Sequence, residues 1–309
     1  SPLHKVVIFF VVYFKIRLPT QYNLTIETVN MCNASCVMCP YRQMKRAKNL
    51  MTDEVFDHII TRLKAEKLSI NKVFFSGMGE PLIDRKILDR IKKIKDLGLH
   101  VKLYTNASLL TKDIAKEIIA QKIDEINISF NGAEKDDYEK VMHLKFDNAL
   151  TNIKYLLKIR KNKQTPIIRI SSVLTKENEN KVQSHLSHWE KLVDSVGVSI
   201  AHEWGGQIGK VSDKVTFEKT RVFPCRSLWH TLNIDSKGNF VICCRDYESK
   251  VKLGNIHTHT FKQIINHPVL KRFQSLHLLQ KIKKLPPMCR GCNFPYQEGV
   301  EWFMPRSSD

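Results

Sequence analysis

Cys32-Asn33-Ala34-Ser35-Cys36-Val37-Met38-Cys39-Pro40 places three cysteines at C-x-x-x-C-x-x-C spacing. The loop directly follows Leu24-Thr25-Ile26-Glu27-Thr28, where β-branched and polar residues alternate as in a strand. Iron–sulfur clusters are ordinarily held by four cysteine thiolates, so three leave one iron of a 4Fe-4S cluster without a protein ligand. An open iron invites an outside ligand.

Working outward, strand and helix patterns alternate. Thr52-Asp53-Glu54 opens a helix with a cap and an acidic first turn, and Val55, Phe56, Ile59, Ile60 and Leu63 recur at helical spacing. Strand patterns follow over 72–76, 100–104, 125–130, 167–173 and 196–201. Between them lie helical patterns through Ile87 to Ile94, over 111–120, as one long helix over 134–159, and through Val182 to Leu192. This alternation predicts a parallel sheet with helices outside it. Six units are too few to close an eight-stranded barrel, but function still belongs at the carboxyl ends of the strands. The expected division is an extension over 1–20, an α/β unit over 21–210 and a small α+β unit over 211–309. The boundary rests on the polar stretch after Gly205-Gly206. In the second unit, 231–234 and 240–243 read as a hairpin around Asp235-Ser236-Lys237-Gly238, and 261–279 reads as one helix.

Together the cysteine loop and Ser76-Gly77-Met78-Gly79-Glu80-Pro81, one βα unit later, resemble the radical S-adenosylmethionine (SAM) superfamily. The resemblance implies a partial (β/α)6 barrel. It implies that the open iron chelates the amino and carboxylate groups of SAM's methionine, and that Gly79 and Glu80 contact the amino group. Tyr104-Thr105-Asn106-Ala107 resembles the family's T-N-G stretch with Ala107 where Gly is usual, so Asn106 joins the expected SAM site. Ser129 and Arg169 become candidates for the ribose and carboxylate; without the family they read as a strand-end polar residue and a solvated arginine. Met38 stands where an aromatic often packs on the adenine, and its polarizable thioether can substitute.

Cys225, Cys243 with Gly238 before it, and Cys289-Arg290-Gly291-Cys292 resemble the first part of SPASM and twitch domains. Four ligands close one auxiliary 4Fe-4S site, giving two clusters in all. Tetrahedral zinc suits four cysteines equally well, but the spacing to Gly238 and the first motif favour iron. Cys244 is left over, as a buried thiol, a substitute ligand or a hydrogen donor. His202, Glu203 and Trp204 follow the sixth strand on the expected active face, where His202 and Glu203 are candidates for a general base and substrate binder. The resemblance implies an oxidoreductase supplied by an external one-electron reductant of flavodoxin or ferredoxin type. Its leading reaction is dehydrogenation of a hydroxylated, sugar-like or cyclitol-like small molecule. A peptide-modifying maturase competes, although only about twenty residues precede the first strand, which leaves little room for a peptide-recognition domain. Sugar epimerisation with Cys244 as hydrogen donor is the third reading.

The 309 residues carry a formal charge of +19, which raises acidic partners, but lysines are spread through every amphipathic segment and no specific nucleic-acid signature accompanies them. The apolar run Val6-Val7-Ile8-Phe9-Phe10-Val11-Val12-Tyr13-Phe14 is too short for a bilayer span of roughly 20 residues. It reads as an element covering the barrel, with peripheral membrane contact as the alternative, and the expected location is cytoplasmic.

Overall fold

A computed structural model describes residues 21–161, 163–201, 204, 224–292 and 302–305. The apolar run over 6–14, the connection after Gly205, and both His202 and Glu203 lie outside the described residues. In chain order the elements are β1 (Tyr22–Ile26), α1 (Asp53–Ala65), β2 (Ile70–Phe75), α2 (Ile87–Lys95), β3 (His100–Thr105), α3 (Lys112–Ala120) and β4 (Glu125–Ser129). There follow α4 (Lys135–Met142), α5 (Phe146–Arg160), β5 (Ile167–Leu174), α6 (Val182–Trp189) and β6 (Ser195–Ile200). The C-terminal part has α7 (Ser227–His230), β7 (Thr231–Ile234), β8 (Asn239–Val241), β9 (Lys252–Asn255), α8 (Phe261–Ile265), α9 (Pro268–Leu278), α10 (Pro287–Arg290) and β10 (Trp302–Pro305).

Strands β1 to β6 pair in parallel, in sequence order, as the alternating pattern predicts. Each shows a two-residue alternation: Leu24, Ile26, Val73, Phe75, Val101, Leu103, Ile126, Ile128, Ile168 and Ile170 are buried in the core shared with the helices. Burying one such side chain stabilises the fold by about 1.5–3 kcal/mol. The alternate positions therefore face the other side of the sheet, the barrel lumen, and most are polar: Asn23, Thr25, Lys72, Lys102, Glu125, Asn127, Arg169 and Ser171, with the rings of Phe74 and Tyr104 among them, 6.2 Å apart.

The C-terminal unit does not build a sheet of its own. β7 pairs in parallel with β1, on the edge opposite β2, and β8 and β9 follow antiparallel. β10 pairs antiparallel with β6 at the far edge, so ten strands run in one sheet.

Two helices expected to be continuous are broken. The pattern over 134–159 divides into α4 and α5 because His143 takes a left-handed φ of 53° and stops α4. The pattern over 261–279 divides at Pro268, which starts α9 with His267 as its cap. β8 ends at Val241, so Cys243 lies in the following loop rather than in the strand.

Candidate active site

The cysteine loop is held from several sides. Cys32 N–H donates to the Tyr41 hydroxyl at 3.0 Å, Cys39 N–H to Cys36 O at 3.0 Å, and Val37 N–H to Val141 O at 3.0 Å. The break at His143 has a use here, because its Nδ1 lies 2.9 Å from Ser35 O. Cys36 Sγ lies 3.5 Å from Met142 Sδ, and Asn131 Nδ2 donates to the same sulfur at 2.8 Å while Asn131 Oδ1 accepts from Val173 N–H at 2.6 Å. The loop is thus joined to the carboxyl ends of β4 and β5.

Burial pushes the Cys32 thiol up to about 11, with Glu80 and Cys39 adding to the effect. Burial also raises Cys36, followed by the charges of Cys39 and Cys32, and it raises Cys39. Three thiols that feel one another's charge in a half-buried loop are costly as bare thiolates, and a metal cation removes that cost by taking the place of the protons. Backbone N–H groups already face the sulfurs: Ala34 N–H lies 3.4 Å from Cys32 Sγ. This donor set fits an iron–sulfur cluster.

Glu80 is 3% exposed and joins the loop to the end of β3. Its carboxylate accepts from Thr105 Oγ1 at 2.7 Å, Asn106 N–H at 2.7 Å and Leu82 N–H at 3.1 Å. Burial nevertheless raises its pKa to about 6, the three hydrogen bonds opposing the shift. Asn106 Nδ2 donates to Asn33 Oδ1 at 3.0 Å, and Asn33 Nδ2 donates to Ser108 Oγ at 2.8 Å, closing a circuit back to the loop. Gly79 is required by space: a Cβ there would lie 2.2 Å from Val29 O and 2.6 Å from Met31 O. Ala107, where the resembled motif has glycine, is held at a left-handed φ of 60°.

A second network escaped the sequence reading. Glu27, one residue past β1, receives Arg46 in a two-pronged ion pair, Nη1 to Oε1 at 2.7 Å and Nη2 to Oε2 at 2.6 Å. Met78 N–H donates to the same carboxylate at 2.9 Å. Arg46 Nε donates to Tyr247 O at 2.6 Å, while Lys45 and Arg46 N–H donate to the two oxygens of Glu248 at 2.8 and 3.0 Å. Beside it, Met44, Met78 and Tyr247 form an apolar cluster with Cys39, Tyr41 and Trp204 against it. Trp204 Nε1 donates to Met38 O at 3.1 Å. Loops from both parts of the chain therefore close over Cys39. The only sequence signal was an acid at the end of a strand pattern; its partners Arg46, Met78 and Ser236 lie 19 to 209 positions away.

The second cysteine set gathers around Arg245. Charges of Cys243, Cys244, Cys225 and Cys292 all act on its guanidinium, and Arg245 N–H lies 3.4 Å from Cys243 Sγ. Burial pushes Cys225 up to about 11, with Cys292 next. The Cys243 thiol hydrogen-bonds to Cys244, which raises Cys243 and draws Cys244 down to about 6. Cys289 is tied to Cys292 by Cys292 N–H to Cys289 O at 3.3 Å. Cys244 is exposed rather than buried, against the first of its expected readings.

Of the remaining candidates, Met38 is buried at 8% exposure behind the loop, and Ser129 ends β4 opposite Ser171. Arg169 is not brought to the others. It is the third residue of β5, and its Nε lies 3.2 Å from Glu125 Oε2, at the amino end of the lumen. Glu125 also meets Lys72, Lys102 at 3.3 Å and His100 at 2.9 Å. Burial would raise its pKa, but Lys72, Lys102 and His100 outweigh it and hold the carboxyl at about 2. No described helix is long and apolar enough to cross a membrane.

Comparison with known proteins agrees with this geometry. The family described as radical SAM superfamily matches residues 26–188, just over half of the chain, and the iron-sulfur cluster-binding SPASM domain matches 225–293. A tungsten-containing aldehyde ferredoxin oxidoreductase cofactor-modifying protein of Pyrococcus furiosus is 28% identical over 50% of this chain and 44% of its own length. A probable GTP 3',8-cyclase of Thermococcus kodakarensis is 33% identical over 38% of each. The chain thus matches less than half the length of these two relatives. An uncharacterized protein of Methanocaldococcus jannaschii is 26% identical over 82% of this chain and 84% of its own. Among solved structures, BtrN in complex with AdoMet and 2-DOIA superposes with a TM-score of 0.62 at 14% identity, covering 88% of this chain and 93% of that one. SuiB of Streptococcus suis bound to precursor peptide SuiA gives 0.65 at 15% identity, covering 96% and 75%. The anSMEcpe structure with bound AdoMet gives 0.65 at 18% identity, covering 88% of each. With cysteine loop, sheet and both matched domains in agreement, this chain belongs to the radical SAM superfamily, with SAM and iron–sulfur clusters as its cofactors and a C-terminal SPASM domain.

Proposed function

We propose that the chain is a radical SAM oxidoreductase that dehydrogenates a hydroxylated small molecule held in the lumen. The observation that carries this reading is the junction at Arg46, which ties the end of β1 to the 243–249 loop, whose Tyr247 lies in the apolar cluster that Cys39 packs against. When bound, SAM and the clusters supply a 5'-deoxyadenosyl radical that removes a hydrogen atom and a centre that accepts an electron.

Cys32, Cys36 and Cys39 hold the first cluster. Glu80 would accept a hydrogen bond from SAM's amino group, Gly79 lets the strand end approach it, Met38 would back the adenine, and Asn106 and Ser129 would serve the ribose side. Cys225, Cys243, Cys289 and Cys292 hold the auxiliary cluster. His202 or Glu203 takes the hydroxyl proton of the substrate. An external one-electron carrier of flavodoxin or ferredoxin type supplies reducing equivalents.

The lumen supports a polar substrate. Leu232 and Ile234 enter the core, so Asn233 between them faces the lumen beside its register partner Thr25. Asn233 is 4% exposed, yet neither atom of its amide has a hydrogen-bond partner among the described residues. A hydroxylated ligand satisfies such an amide. BtrN, solved with 2-DOIA, is similar over nearly all of its length, which favours a small molecule. SuiB bound to SuiA keeps peptide modification as the second reading.

Anaerobic reconstitution tests the core of this reading. The expected result is about eight irons per chain, as two four-iron clusters require, with reductive cleavage of SAM to 5'-deoxyadenosine. Bound zinc without cleavage would overturn it. Product analysis with hydroxylated small molecules and with peptides separates the two readings. Cys244→Ala should leave a dehydrogenation intact and abolish an epimerisation.

A further inference from the structure

Helix α1 carries Glu54 and His58 one turn apart on one face, and the turn after β9 sets His257 against them. One donor atom of each residue lies within 4.8 Å of the others. The two imidazoles meet with ring centroids 4.3 Å apart at 63°. Among the described residues, neither imidazole has a hydrogen-bond or ion-pair partner.

Packing beneath the three side chains fixes where they stand. Val55 and Ile256, the neighbours of Glu54 and His257, are both buried. A Cβ built at Gly238 would meet Ile256 Cγ2 at 2.9 Å and Val55 Cγ1 at 3.0 Å, so helix and turn are pressed together at that point. The turn is itself braced: His257 N–H donates to Asn255 Oδ1 at 3.0 Å, and Asn255 Nδ2 donates to Lys237 O at 3.1 Å and to Asn239 Oδ1 at 3.1 Å.

We infer that Glu54, His58 and His257 form a site for a divalent transition ion of the zinc type, clamping the barrel to the C-terminal unit. Two neutral imidazoles and a carboxylate are a donor set suited to zinc, with water completing the shell. One shared cation takes a nitrogen from each of the two rings. A tetrahedral ion with bonds of about 2.1 Å needs donors about 3.4 Å apart, so rotation of partly exposed side chains closes the site without moving the backbone. No cysteine takes part, which separates this site from both clusters. The clamp joins residues some 200 positions apart, and an ion that binds only the folded chain raises its stability in proportion to the logarithm of ion concentration.

The test is titration of the cluster-loaded, oxygen-free protein with zinc chloride, following heat of binding, zinc retained after desalting, cluster absorbance and thermal unfolding. The expected result is one zinc per chain with cluster absorbance unchanged and a midpoint that rises with zinc. His257→Ala and His58→Ala should each weaken uptake by at least tenfold and remove the zinc-dependent shift. His257→Gln, which keeps size without the imidazole, should behave like His257→Ala. Equal uptake by wild type and these variants, or uptake only as cluster absorbance bleaches, overturns the inference.

Discussion

The two cysteine groups are built in opposite ways. Cys32, Cys36 and Cys39 occupy eight consecutive positions of one loop, and their supports come from the segments after strands β2, β3 and β4, Glu80, Asn106 and Asn131, and from Met142 at the end of α4. Cys225, Cys243, Cys289 and Cys292 span 68 positions, and β7, which adds to the free edge of β1, lies between the first two. The first group depends on local spacing, the second on register between distant strands. Between the two loops, Arg46 neutralises Glu27 and donates to Tyr247 O and Glu248 from the other side. A site written in one loop tolerates loss of its neighbour, whereas a site assembled across a sheet depends on the junction.

The largest effect should come from emptying each group separately. Cys36→Ala is expected to abolish SAM cleavage and leave about four irons, while Cys225→Ala keeps 5'-deoxyadenosine formation and loses product. Iron analysis and product chromatography read both, and loss of both clusters in either variant would break the contrast. Next is the junction. Arg46→Ala leaves a buried carboxylate unpaired and should cost about 3 kcal/mol in denaturant unfolding of the cluster-loaded protein. It should release the C-terminal cysteines before the loop cysteines, seen as loss of the auxiliary cluster first.

A pH effect follows at Glu80. Burial pushes its pKa up to about 6, so below that value protonation removes the carboxylate acceptor that an N–H of SAM's amino group needs. SAM affinity of the cluster-loaded protein should therefore fall by about tenfold per pH unit below 6 and be flat above 7. Binding titrations at pH 5 and 7 decide, and equal affinities would remove Glu80 from that role. The smallest effect is at Ala107. Ala107→Gly relieves a left-handed backbone at the cost of chain entropy, a net gain of about 0.5 kcal/mol, read as a small rise in unfolding midpoint.

Legibility in the sequence followed the same division. Strand positions, the cap at Thr52 and the Glu80 motif were readable because each depends on residues close in sequence. The break at His143 was not, because a helical pattern continues through it and only the docking of its imidazole on Ser35 O gives the break a reason. Pro268 was a readable signal that the helical pattern masked. Arg169 sat on a strand in a family-like position, yet the side-chain direction that sends it to Glu125 comes from the sheet.

By itself, the sequence determined that the chain makes a parallel α/β unit with a three-cysteine loop at its mouth, because hydrophobic period and thiol spacing are short-range quantities. Only the tertiary structure decided that β7 joins β1, that Arg46 ties Glu27 to the Tyr247–Glu248 loop, and that Glu54, His58 and His257 converge. Those depend on long-range pairing, where a shift of one residue would turn every side chain to the opposite face.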